Sequence, residues 1–208
     1  MLDLWINKNY LKEDKINELK EIFLKAEPFQ HLSLNNFLNE EKAEKLLKEI
    51  KKEEYYKEEN DLYSFKRTID FRNSKSKLIL EFRQFLLSSE ARIFFESFLG
   101  KDINNKKIDL HSLKLENTDY LLCHDDEVEG RYFAFIFNLS KDFDSVYDGG
   151  ELELFNEKNM EAKEVVKKIN PKFNQFNVFK VSKKSFHQVS EVLSDKERIS
   201  ISGWFYKK

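Results

Sequence analysis

A single cysteine, Cys123, stands among 208 residues, which excludes an internal disulfide framework and a zinc site built on thiolates. Proline occurs twice and glycine five times, and neither a linker nor an internal repeat is present. Neither sign of charge is in excess. The formal net charge of −2 gives no global attraction to nucleic acid or to a membrane surface. No apolar run is long enough to span a bilayer, and the opening MLDLWINKNY lacks the basic start and apolar centre of a secretion signal. A cytoplasmic location is expected, with no membrane partner and no direct nucleic-acid binding.

Aromatic residues are plentiful. Twenty Phe and eight Tyr supply the area to fill a substantial core. The first hundred residues read as helical. Residues 8–26 and 38–58 carry Leu, Ile and Phe at three- and four-residue spacings among Lys and Glu. Residues 77–99 repeat the pattern with Phe82, Phe85, Phe94 and Phe98, ending at Gly100 as a C-terminal cap. The charged run Lys51 to Glu59 reads as a solvated helix face.

From about residue 108 the character changes. Residues 119–126 and 131–139 (RYFAFIFNL) read as buried strands. Asp148-Gly149-Gly150 signals a turn before the alternating stretch 151–155 (ELELF). Asn170-Pro171 marks another turn, and strands follow at 176–181, 186–189 and 198–206. The expected class is α+β, mainly β: a double-stranded β-helix of the jelly-roll, cupin-like form. About residues 1–100 would brace the outer face of a barrel formed by about 108–208.

One constellation carries chemistry. His124-Asp125-Asp126 is followed by His187 and, 11 residues later, by Arg198. Two neutral imidazoles and a carboxylate hold Fe(II) on one face and leave positions open for bidentate 2-oxoglutarate and O2. A lone His-x-Asp arises easily by chance, so the strands that follow it are what raise its weight. Alternation along an extended segment would place His124 and Asp126 on one side and turn Cys123 to the other as a small hydrophobe. It also places Arg198, Ser200 and Ser202 on one face, where Arg198, with Ser200 beside it, suits the far carboxylate of 2-oxoglutarate. His31 and His111 fall outside the pattern as surface or structural histidines.

The blocks LLCHDDEVEGR (121–131), DGGELELF (148–155) and VSKKSFHQVSEVLSDKERISISGWFY (181–206) resemble the catalytic domain of the ribosomal-protein prolyl 3-hydroxylases. PFQHLSLNNFL (28–38) and NDLYSF (60–65) extend the resemblance over about residues 27–208. It implies His124, Asp126 and His187 as iron ligands and Arg198 as the 2-oxoglutarate arginine, with O2 as cosubstrate and ascorbate as a reductant. It implies a proline-containing protein or peptide as partner, in the family a small-subunit ribosomal protein. Residues 60–76, with Lys66, Arg67 and Arg72, match a region that folds over the active site, a candidate lid. Two positions depart from the pattern: a tyrosine that helps hold the 2-oxoglutarate carboxylate is Asn138 here, whose amide has a shorter reach, and a second tyrosine is Leu115. Eukaryotic members continue into a second, non-catalytic barrel, whereas one catalytic domain over 1–208 is expected here. Two alternatives stay open: the same chemistry on another target, or a barrel that binds metal and peptide without turnover.

Overall fold

The structure, a computed structural model, describes residues 1–100 and 102–208. Five helices form one layer: α1 (Leu2–Trp5), α2 (Glu13–Lys25), α3 (Glu40–Ile50), α4 (Lys77–Leu87) and α5 (Ser89–Leu99). Each of the longer ones buries the stripe that its periodicity marks, as with Ala43, Leu46, Leu47 and Ile50 in α3. Three helix boundaries differ from expectation. Residues Lys8–Leu11 are a 3-10 turn ahead of α2. Residues 77–99 are two helices, because the Ser88 hydroxyl accepts the Ala91 N–H at 3.1 Å and so caps α5. The helix expected over 38–58 ends at Ile50, and Tyr56–Asn60 is a strand.

Eleven strands among the described residues form one antiparallel sheet: β1 (His31–Leu34), β2 (Tyr56–Asn60), β3 (Tyr63–Arg67), β4 (Ile103–Leu115), β5 (Tyr120–His124), β6 (Arg131–Asn138), β7 (Leu152–Lys158), β8 (Glu161–Ile169), β9 (Gln175–Lys180), β10 (His187–Val189) and β11 (Arg198–Lys207). Their order is β1-β9-β6-β11-β4-β3-β5-β10-β7-β8, with β2 paired to β3. The sheet curls into a nearly closed jelly-roll barrel, as the sequence leads one to expect.

The two faces of β6, β9 and β11 do different work. Phe133, Phe135, Phe137, Phe176, Val178, Ile199, Ile201 and Phe205 turn outward into a core shared with α2–α5, where each full burial contributes about 1.5–3 kcal/mol. Phe37 stacks on Phe176 there, with ring centroids 4.4 Å apart. The alternate residues face the barrel interior. At Gly203 the backbones of β11 and β4 come so close that an added Cβ would lie 2.0 Å from Asp109 O and 2.8 Å from Phe135 Cζ.

Strand β3 is the seam of the barrel. Lys66 and Arg67 pair with Lys114 and Leu113 on β4, while Tyr63 and Ser64 pair with Leu121 and Tyr120 on β5. The outward residues clamp it: Ser64 Oγ donates to the buried Asp119 at 2.5 Å, and Lys66 meets Glu116 at 2.7 Å. Asp119 also accepts from Lys57 on β2 and from the Glu116 N–H. Much of the stretch expected as a lid is therefore this strand and its hairpin.

Candidate active site

The barrel interior holds a cavity of about 350 Å³. Its mouth is framed by Glu58, Leu62, Tyr63, Phe65 and Arg67 of the β2–β3 hairpin, and its far end by Ile136, Leu152 and Arg198. Of the basic residues singled out in 60–76, Arg67 lines the cavity and pairs with Glu58 at 2.6 Å. Lys66 points outward to Glu116, and Arg72 pairs with Asp70 away from it.

His124, Asp126 and His187 converge on the cavity wall, and their ligand atoms lie within 4.8 Å of one another. The register opposes His187 to His124 on adjacent strands, with ring centroids 4.2 Å apart. Asp126 reaches them differently from the alternation expected of it. It lies beyond the end of β5 with φ +64, a left-handed conformation that Asp tolerates better than most residues, and this turn swings its carboxylate back toward the rings. Asp126 Oδ1 is 3.6 Å from His124 Nε2, and Oδ2 is 3.5 Å from His187 Nε2.

The protonation states suit metal binding. Nδ1 of His124 lies 2.8 Å from Leu122 O, and Nδ1 of His187 lies 2.7 Å from Ser185 O. A carbonyl accepts only from N–H, so both rings carry hydrogen on Nδ1 and turn the Nε2 lone pair toward Asp126. Burial, aided by the neighbouring His187, pushes His124 down to about 4. Burial alone would raise the Asp126 carboxyl, but the facing His187 and His124 hold it down at about 2. Neutral imidazoles beside an ionised carboxylate form the donor set of a hard or borderline divalent cation such as Fe(II). The residues fit that metal.

Arg198 enters the cavity from β11. Its Nε donates to Gly150 O at 2.7 Å, while its Nη2, fully buried, has no partner among the described residues. Burial pushes the guanidinium down to about 10, so it is still a cation at neutral pH. Gly150 has φ +66, and a side chain there would meet Arg198 Cδ at 3.0 Å. An unpaired buried guanidinium suits an incoming carboxylate. Ser200 and Asn138 sit opposite each other in register, buried, and neither lines the cavity. Leu115 is buried opposite Arg198.

Other residues at the site were not singled out from the sequence. Arg131 lies 3.6 Å from Asp126 Oδ1 and covers the Trp204 ring at 3.5 Å. Trp204 was within reach of sequence reasoning, since it continues the inward alternation from Arg198 through Ser202. His111 lines the cavity beside Trp204, and its burial lowers it to about 4. His31 is likewise buried, with Nδ1 2.8 Å from Phe29 O, so both histidines are structural rather than superficial. Cys123 lines the cavity rim, contrary to the opposite face expected, but does not join the His-Asp-His cluster.

Residues 110–206 match the 2OG-Fe(II) oxygenase superfamily. The chain is 40% identical over 188 residues to prolyl 3-hydroxylase OGFOD1 of Mus musculus, covering 89% of this chain and 34% of that protein. To prolyl 3-hydroxylase sudestada1 of Drosophila melanogaster it is 35% identical over 193 residues, covering 87% and 35%. It thus spans about a third of the length of these relatives. A solved Trichoplax adhaerens prolyl hydroxylase, in complex with a hypoxia inducible factor peptide fragment, shares the fold with a TM-score of 0.71 at 16% identity over 94% of both chains.

Proposed function

Because residues 110–206 form a 2OG-Fe(II) oxygenase domain, we propose that this chain uses Fe(II), 2-oxoglutarate and O2 to hydroxylate a prolyl residue of a protein. The proposed target is proline C3 in a small-subunit ribosomal protein, encountered in the cytoplasm. The observation that carries this is the convergence of His124, Asp126 and His187 in one cavity with the unpartnered Arg198 guanidinium. The names of the relatives, and the peptide bound by the Trichoplax protein, support a prolyl peptide as substrate.

His124, Asp126 and His187 would hold the iron and Arg198 the distal carboxylate of 2-oxoglutarate. When bound, these groups activate O2, with decarboxylation of 2-oxoglutarate to succinate and insertion of one oxygen atom into a C–H bond. The chain itself supplies position. Leu122 O and Ser185 O fix the two rings, and burial keeps His124 neutral. Arg198 sets the depth at which a dicarboxylate stops. Tyr63 and Phe65 stack with centroids 4.8 Å apart and give the mouth an apolar, water-excluding wall against which a prolyl ring packs.

Anaerobic titration with Fe(II) and 2-oxoglutarate should develop the weak visible band of a chelated keto acid. Adding O2 and a proline-containing ribosomal peptide should then give succinate and a peptide heavier by one oxygen. Iron uptake without the band would instead favour a barrel that binds metal and peptide without turnover.

A further inference from the structure

Among the inward positions of β6, β9 and β11, Asn138, Gln175, Asn177 and Ser200 do not line the cavity and are nearly fully buried. Asn138 lies opposite Gln175, and Asn177 opposite Ile136. Gln175 is their hub. Its Oε1 accepts from Asn138 Nδ2 at 2.9 Å and from Asn177 Nδ2 at 3.1 Å, while its Nε2 donates to Asn35 Oδ1 at 3.2 Å. Asn138 Oδ1 and Asn177 Oδ1, like Arg198 Nη2, have no partner among the described residues.

An amide exchanges its oxygen and nitrogen by a half-turn of its last torsion, in nearly the same volume. Turned together, the four amides keep all three contacts. Gln175 Nε2, with two hydrogens, would donate to both asparagine oxygens, and Gln175 Oε1 would accept from Asn35 Nδ2. Asn35 is exposed, and its side chain makes no other hydrogen bond among the described residues, so nothing opposes the turn. What changes is the polarity of the buried end of the barrel: the two unpartnered acceptors become two N–H donors. Acceptors repel a carboxylate, whereas donors bind it.

Resting on the oxygenase reading above, we propose that Asn138 and Asn177, oriented through Gln175 and Asn35, donate together with Arg198 to the distal carboxylate of 2-oxoglutarate. This relay replaces the tyrosine that the family resemblance expects at position 138. Asn177 is thereby a cosubstrate-binding residue, and Gln175 a positioning residue.

The test compares two keto acids that share the chelating head, 2-oxoglutarate and 2-oxopentanoate, the second lacking the distal carboxylate. Dissociation constants come from anaerobic Fe(II) titrations followed by the visible chelate band. The ratio of the two constants, taken within each variant, is insensitive to any unfolded fraction. Asn177→Leu removes one donor, and Gln175→Glu, which can only accept, locks both asparagine oxygens inward. Each should cut the preference for 2-oxoglutarate by about tenfold or more, with 2-oxopentanoate binding unchanged. An unaltered ratio in Asn177→Leu would overturn the relay. A wild-type protein that chelates neither keto acid would overturn the oxygenase reading, and the relay with it.

Discussion

Replacing Asp119 by Asn should loosen the seam of the barrel. The carboxylate is almost fully buried and accepts from Ser64 Oγ and Lys57 Nζ on one oxygen and from the Glu116 N–H on the other. An asparagine of the same shape has one acceptor, so at least one of these donors faces an NH2 group. An orphaned buried donor costs about 1–3 kcal/mol, and the surviving bonds lose their charge assistance. A total near 3 kcal/mol follows, which in a chain of this size lowers Tm by about 6–12 °C. Burial would raise the Asp119 carboxyl, but Lys57, Ser64 and the Glu116 N–H overcome it and hold the group below its ordinary value. Such a group stabilises the fold fully above the unfolded value of about 4 and ceases to do so as pH falls through the folded value. Denaturant unfolding of both proteins across pH should therefore show the widest gap at neutral pH and a closing gap in acid. A gap below about 0.5 kcal/mol at pH 7, or one constant across pH, would refute the argument. Amide exchange should localise the loosening to Tyr56–Arg67.

Asp126→Ala should abolish Fe(II) uptake and turnover while leaving the melting transition cooperative, as metal analysis and peptide mass would show. Arg198→Met removes a buried guanidinium that forms no ion pair among the described residues. It should stabilise the ligand-free protein by roughly 1 kcal/mol or more yet eliminate the rise in Tm that 2-oxoglutarate confers on wild type. Gly203→Ala should cost more than about 3 kcal/mol, since its methyl would meet the Asp109 carbonyl at 2.0 Å; a melting temperature within a few degrees of wild type would mean that β4 and β11 can separate freely.

The residues that converge on the cavity were legible because chemistry restricts them to few residue types in a short motif, and β6, β7, β9, β10 and β11 because apolar runs or strict alternation mark them. Of the strands that the sequence did not announce, three were hidden for physical reasons that their residues show. The Lys- and Glu-rich β2 carries helical propensity, and only its pairing with β3 makes it extended. Strand β8 is a largely exposed edge strand and has no buried face to leave a pattern. Strand β4 mixes Lys and Asn into its alternation, although it lies at the centre of the sheet between β11 and β3. The left-handed turn at Asp126 is a backbone property that residue type permits but does not announce.

The seam strand separates two tasks by parity. Its odd positions, Tyr63, Phe65 and Arg67, face the cavity, while its even positions, Ser64 and Lys66, fasten the barrel through Asp119 and Glu116. Substrate preference can therefore drift, or be engineered, through every second residue while the closure energy resides in the others. A five-residue strand thus lets recognition evolve in small steps without each step being a test of whether the protein still folds.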